Sequence, residues 1–464
     1  MWTMQYLVVA LTMGLGSTHA LPLASNSGLP LPTAAQLRYH DAEIIALIHF
    51  NMATFFKNGD PGCTQGNWLP LDGSGSGNPA SFSPRGLNPE QWFEAINGLG
   101  AKIAVLTAKH GCGFLLWPTS TTLPDGTAFP YHASIDVLQQ FVDAATRNGI
   151  SHGFYYSIMK SFFLCRSFSG TNSCMDKKLP GQVNLTEAQY EAIALGQVAE
   201  MWTKYGQVAE LWFDSTAFTD PANRAKLLDM ERQFQPDAIN TAMSPTSWIG
   251  TESGHPASGE IWALGCRGLG DPDSLEWCPK QCDTTLQWSP KKWFWEPNSP
   301  IRSLQEVISV YHDTVGRGCT LELDLAPNRS GLIDDAAIEV YRGLGDFVRS
   351  CYGTPAASTS GEGSSFDLPA TVEAVDRVVL QEDLALGQRV REWAVQVAQG
   401  SSWSTLAQGK AIGHKRIVML PRPISAALHL TISQAVATPQ IRHFGAYKPC
   451  GDKRETADFQ SYLV

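Results

Sequence analysis

The stretch Ala101-Lys102-Ile103-Ala104-Val105-Leu106-Thr107-Ala108-Lys109-His110 makes the first structural decision. Its middle is a short apolar run with polar residues at both ends. A strand buried on both faces of a parallel sheet reads this way. Four further runs are read the same way: Ile44 to Phe50, Gly153 to Ser157, Val208 to Asp214 and Thr320 to Leu325. Helix-period segments fill the gaps. Leu138, Phe141, Val142 and Ala145 recur at helical spacing, and Gly149 stands where a C-terminal cap belongs. Thr186 with Gln189, and Ser303 with Glu306, have the spacing of capping boxes. Repeated βα units over residues 40–350 predict an α/β fold, a (β/α)8 TIM-type barrel. A doubly wound open sheet is the rival. It calls for a glycine-rich phosphate turn after its first strand, and Phe50-Asn51-Met52 stands there instead. Five or six strands are visible, so closure into eight is an extrapolation.

The barrel is expected over 21–353. Thr354 to Ser365 is rich in Gly, Ser, Pro and Ala, which predicts a flexible linker over 354–366. Val375 to Leu380, Val390 to Val397, Arg416 to Leu420 and Ala427 to Ile432 then predict an all-β sandwich over 367–464, as a stabilising appendage or a ligand-binding module. At the other end, the apolar stretch Tyr6 to Leu15 leads into Gly16-Ser17-Thr18-His19-Ala20. Residues 1–20 therefore read as a secretory signal peptide, too short to span a bilayer, and the product as a secreted, extracellular protein. Ten cysteines, an even number, fit disulfides in that compartment. Cys165 with Cys174 and Cys278 with Cys282 are plausible local pairs. Asn184-Leu185-Thr186 and Asn328-Arg329-Ser330 are glycosylation sequons. Thirty-four Lys+Arg against 44 Asp+Glu give a net charge of −10, which argues against a nucleic-acid or anionic-membrane partner. Apolar residues at 43% supply a sizeable core and exclude a disordered chain.

Three groups of residues have the chemistry for a site. Asp214 closes the buried run Glu210-Leu211-Trp212-Phe213, at the rim where barrels place catalytic groups. The same position also suits a helix N-cap. Lys109-His110, and His49 in Leu47-Ile48-His49-Phe50, end two other strands. A lone histidine is more often structural, but several at strand ends converge on one pocket in a barrel. Tyr155, Tyr156 and Ser157 end a third strand and can join them. The third group is the loop carboxylates Glu252, Glu260 and Glu276, any of which also suits solvated surface. Glycines flank Glu252 and favour it. A glycosidase requires two carboxyls across the scissile bond. No Walker loop, HExxH, GxSxG or dinucleotide fingerprint is present.

Together these residues resemble a known pattern. The stretch 101–110, with Gly113-Phe114 and Leu116-Trp117-Pro118, is similar to the signature of the α-L-fucosidases of glycoside hydrolase family 29. Glu210-Leu211-Trp212-Phe213-Asp214, Val315-Gly316-Arg317 and Leu323-Asp324-Leu325-Ala326-Pro327-Asn328 fall in that family's order. The resemblance implies hydrolysis of terminal α-L-fucose from oligosaccharide or glycoprotein glycans, with retention and without a metal or organic cofactor. Carried over, Asp214 is the nucleophile, and His49, Lys109, His110, Trp117 and Tyr156 are expected to bind substrate. Trp248 to Gly254 resembles the subgroup that cuts α-1,3 and α-1,4 branches, which points to Glu252 as acid/base with Glu276 in reserve. One departure stands out: the family usually reads KHHDGF, and this chain has Lys109-His110-Gly111-Cys112-Gly113-Phe114. A second histidine and an aspartate are missing, so either a neighbouring loop replaces them or affinity changes. The rival readings are a secreted glycan-binding protein with a degenerate site and a retaining glycosidase for another sugar.

Overall fold

Eight parallel strands form one sheet: β1 (Ile44–Ile48), β2 (Ile103–Lys109), β3 (Ser151–Tyr156), β4 (Glu210–Trp212), β5 (Ile239–Asn240), β6 (Ser247–Trp248), β7 (Lys280–Thr284) and β8 (Thr320–Leu325). Their order, β5-β4-β3-β2-β1-β8-β7-β6, places the first strand against the last. A doubly wound sheet does not do this; a barrel must. At the seam, Thr246 reaches the Asn240 carbonyl through its N–H at 3.4 Å and its Oγ1 at 2.6 Å. This is a computed structural model, and it describes residues 28–56, 79–158, 160–166, 182–214, 218–240, 246–371 and 373–450. Residues 1–20, expected to be a signal peptide, and Cys63 and Cys174 lie outside the described residues. No helix among those described is long and apolar enough to cross a membrane.

Helices α1 (Ala34–Ala42), α2 (Pro89–Leu99), α3 (Val137–Asn148), α4 (Glu187–Lys204), α5 (Pro221–Phe234), α6 (Leu304–Asp313) and α7 (Asp335–Tyr352) complete the barrel. Both expected capping boxes form, at α4 and α6, and Gly149 caps α3 with φ 67°. Alternation along the strands divides the apolar residues between two cores. Ile45, Leu47, Ile103, Val105 and Tyr155 share the barrel interior with Tyr39 of α1, while Ala46, Ile48, Ala104, Leu106 and Phe154 pack under the helices. The interior also holds a polar knot. Gln281 Nε2 donates to Glu210 and Glu322, and Tyr39 and Trp212 both donate to Glu322, at 3.1 and 2.9 Å. Burial, with the Glu322 charge alongside, holds the Glu210 carboxyl well above the usual range.

β5, β6 and β7 escape a reading of the sequence for physical reasons. Two of them are only two residues long, and Lys-Gln-Cys-Asp-Thr of β7 is polar yet wholly buried, because Gln281 and Asp283 face the interior. The pairing of Cys278 with Cys282 is overturned. Cys282 lies within β7 with Cys278 four residues before it, and four residues of extended chain separate Cα atoms by about 13 Å, too far for a disulfide. The bonds are Cys266–Cys278, Cys282–Cys319 and Cys351–Cys450. Cys112 and Cys165 are also disulfide-bonded, and Cys174 is outside the described residues.

The linker is corrected too. β9 (Ala357–Glu362) and β10 (Ser365–Leu368) are strands, since pairing with neighbours offsets their flexible composition. With β11 (Val375–Glu382), β12 (Val390–Gln399), β13 (Ser402–Gly409), β14 (Arg416–Ile424), β15 (Leu428–Ala435) and β16 (Gln440–Tyr447), they form antiparallel sheets ordered β10-β15-β12-β13 and β14-β11-β16-β9. Val378, Leu380, Val395, Leu430 and Phe444 lie in the core between them. Ion pairs of Glu260 with Arg416 and Glu43 with Lys415 tie this sandwich to the barrel.

Candidate active site

The C-terminal ends of β1, β2, β3, β4 and β8 converge. His49 follows β1, and its Nδ1 lies 2.9 Å from Oδ1 of Asp324 on β8. Asp214 lies two residues beyond β4, and Tyr155 donates its hydroxyl to Asp214 Oδ2 at 2.6 Å. The Tyr155 ring stacks on His110 (5.4 Å) and Trp212 (5.1 Å). His49 and His110 meet edge to face at 5.6 Å. Two aromatic rings from the loop after β7 close the group. Trp293 lies 4.8 Å from His49, and Phe294 lies 5.3 Å from His49 and 4.8 Å from His110.

The electrostatics follow from burial. Desolvation raises the Asp214 pKa above the usual carboxylate value, opposed by the Tyr155 hydrogen bond and by the charges of Lys160, His49 and Lys109. Desolvation, then the neighbouring cations, push His110 far down, so its ring is neutral. Its Nδ1 is buried without a hydrogen-bond partner among the described residues. Such an atom is usually satisfied in native proteins, which suits a ligand hydroxyl here. Burial first, then the Glu322 and Asp214 charges, push Asp283 up to about 8, against a 2.7 Å hydrogen bond donated by Trp248.

The structure divides the expected substrate-binding set. His49 and His110 reach the pocket; Lys109, Tyr156 and Trp117 stand behind it. A β-bulge between Thr107 and Lys109 turns the lysine outward, beside Tyr156 rather than Tyr155. Lys109 Nζ donates to the carbonyls of Ser157 and Lys160 and lies 4.7 Å from the Tyr156 ring centroid. Burial lowers its pKa to about 7, with the Asp214 charge opposing. Tyr156 donates to Gln197 of α4 at 2.7 Å, and the buried Trp117 donates to Glu200 of α4 at 3.1 Å. Strand alternation makes Tyr155 the inward-facing partner of the acid.

The three loop carboxylates separate as well. Glu252, after β6, is 38% exposed at its side chain and pairs with Lys291, whose ammonium lies 5.8 Å from the Trp293 ring. That run of contacts leads to His49. Glu260 binds the sandwich through Arg416 and the Lys410 N–H. Glu276 is exposed just before β7, at the opposite end of the barrel from the site. A cavity of about 570 Å³ between α1 and the sandwich is lined by none of the candidate residues. Trp293 and Phe294 escaped the sequence reading, although the aromatic run Trp293-Phe294-Trp295 was the available signal.

A parallel barrel with a buried acid and an aromatic-walled histidine pair at its C-terminal rim is an architecture that suits a glycoside hydrolase, among other barrel enzymes. The sequence model of one such family, described as alpha-L-fucosidase, matches residues 76–353, more than half of the chain. The chain belongs to the α-L-fucosidase family. A protein of Oryza sativa subsp. japonica is 28% identical over 475 residues, covering 90% of this chain and 85% of the relative. Alpha-L-fucosidase 1 of Arabidopsis thaliana is 26% identical, covering 92% of this chain and 90% of its own. A solved structure from Bacteroides thetaiotaomicron superposes with a TM-score of 0.76 at 28% identity, over 91% of this chain and 100% of that one.

Proposed function

We infer that the protein removes terminal α-L-fucose from glycans with retention, Asp214 acting as nucleophile and Glu252 as acid/base. Asp214 attacks the anomeric carbon while the bond to the glycan oxygen breaks and that oxygen takes the Glu252 proton. Water then attacks the glycosyl-enzyme, its proton passes to Glu252, and fucose leaves with Asp214 restored. The observation that carries this reading is the buried carboxylate of Asp214, aimed by Tyr155 beside two histidines. Fucose carries a methyl group at C5 where galactose has a hydroxymethyl group. The aromatic wall of Trp293 and Phe294 favours the sugar that carries the methyl group. The likeness of Trp248 to Gly254 to branch-cutting enzymes favours α-1,3 and α-1,4 linkages, and the disulfides favour secretion.

The test is hydrolysis of an aryl α-L-fucoside and a branched fucosylated oligosaccharide by wild type, Asp214→Ala and Glu252→Ala, with the first-formed anomer read by NMR. Release of α-L-fucose first is expected, with loss of turnover on both substrates in Asp214→Ala and on the branched oligosaccharide above all in Glu252→Ala. A β-anomer formed first, or an active Asp214→Ala, overturns the mechanism. Binding without hydrolysis by the wild type turns the reading into a glycan-binding protein.

A further inference from the structure

At Gly111 the end of another side chain lies where a β-carbon would stand. A β-carbon there would lie 2.7 Å from Cδ, 2.9 Å from Cε and 3.2 Å from Nζ of Lys160. Gly111 is not among the glycines with positive φ, so a side chain at 111 meets no backbone strain and would displace only the flexible end of Lys160. Lys160 lies in the loop after β3, the strand that supplies Tyr155, and its carbonyl is fixed by Lys109 Nζ at 3.0 Å. The ammonium thus lies across the residue that follows His110. Its charge acts on Asp214 more strongly than those of His49 and Lys109, and it also acts on His110.

The other titratable groups at this spot are Asp214, His49, His110 and Tyr155, with Lys109 behind them. Lys109 is turned outward and His110 is neutral, so Lys160 brings a positive charge to this side of the acid. An ammonium has three donors and no acceptor, which suits sugar hydroxyls beside a carboxylate. We propose that Lys160 is a substrate-binding residue of this pocket, its ammonium laid across Gly111 to donate hydrogen bonds to the hydroxyls of the sugar held at Asp214. The proposal rests on the fucoside reading. It explains the departure at Gly111: the space a second histidine would fill holds a lysine from the neighbouring loop.

The experiment measures kcat, KM and the pH profile of kcat/KM on an aryl α-L-fucoside, with Tm, for wild type, Lys160→Met, Lys160→Arg, Gly111→Ala and the double variant Gly111→Ala/Lys160→Met. Loss of hydrogen bonds from a charged donor predicts that Lys160→Met lowers kcat/KM by about 10- to 100-fold. Its acid limb moves to higher pH, because a cation opposing protonation of Asp214 is gone. Lys160→Arg recovers part of the loss. Gly111→Ala displaces the ammonium and lowers kcat/KM in the wild-type background, yet adds little to Lys160→Met, since both act through one group. Lys160→Met within about twofold of wild type with an unmoved acid limb overturns the proposal, as do fully additive effects at 111 and 160. A fall in Tm with unchanged kinetics makes the lysine structural and overturns it too. A wild type that cleaves neither this fucoside nor a branched fucosylated oligosaccharide instead sinks the fucoside reading, and this proposal with it; a wild type active on the branched substrate alone moves the same kinetic comparison to that substrate.

Discussion

Replacing Tyr155 by Phe isolates one hydrogen bond at Asp214, the proposed nucleophile. The hydroxyl donates to Asp214 Oδ2 at 2.6 Å, while the ring stacks on His110 and Trp212. Phenylalanine keeps both stacks and removes only the donor. A hydrogen bond to a charged group contributes about 1.5–3 kcal/mol, and that stabilisation belongs to the carboxylate form alone. Its loss shifts the ratio of carboxylate to carboxylic acid at a given pH by roughly 10- to 150-fold toward the acid. The direction is unambiguous: burial already raises the Asp214 pKa, and Tyr155 is the leading influence holding it down. The assay is kcat/KM against pH on an aryl α-L-fucoside. The acid limb should move to higher pH, with activity on that limb falling by up to the same factor and the neutral plateau much less affected. An acid limb in its wild-type position, with Tm unchanged, would refute ionised Asp214 as the group that sets it.

Asp214→Asn is expected to abolish turnover and raise Tm by roughly a few degrees at neutral pH. The folded carboxyl binds its proton more tightly than the unfolded one, so its contribution to stability is full below the unfolded value and is lost as pH rises through the folded value. Scanning calorimetry at acid and neutral pH checks this, and the gain should vanish in acid. Glu252→Gln should lower kcat on a natural branched glycan by about 10²- to 10⁴-fold while sparing a fucoside with a highly acidic phenol, whereas Glu276→Gln should match wild type; equal effects on both substrates would deny Glu252 its acid role. Cys351→Ala with Cys450→Ala opens a bond spanning 99 residues and should cost about 2–5 kcal/mol in denaturant unfolding, with pocket kinetics retained in the folded fraction.

The sequence alone carried the barrel and singled out Asp214 as a candidate. The runs that became β1 to β4 and β8 are buried on both faces, so hydrophobicity marks them without knowledge of their partners. Asp214 was legible because a carboxylate ending a buried run violates that pattern. β5 and β6 are too short to show a period, and β7 is polar because it faces the knot of Glu210 and Glu322 rather than an apolar layer. Three-dimensional proximity alone decided the cysteine bonds, of which Cys282–Cys319 ties β7 to the residue just before its neighbour β8. The same holds for the pocket wall. One bulge in β2 turns Lys109 away and leaves His110 beside Tyr155, and a glycine at 111 admits Lys160 from another loop. Local chemistry fixes which residue types can serve a site. Which of them meet depends on strand register and side-chain direction, which the whole barrel sets.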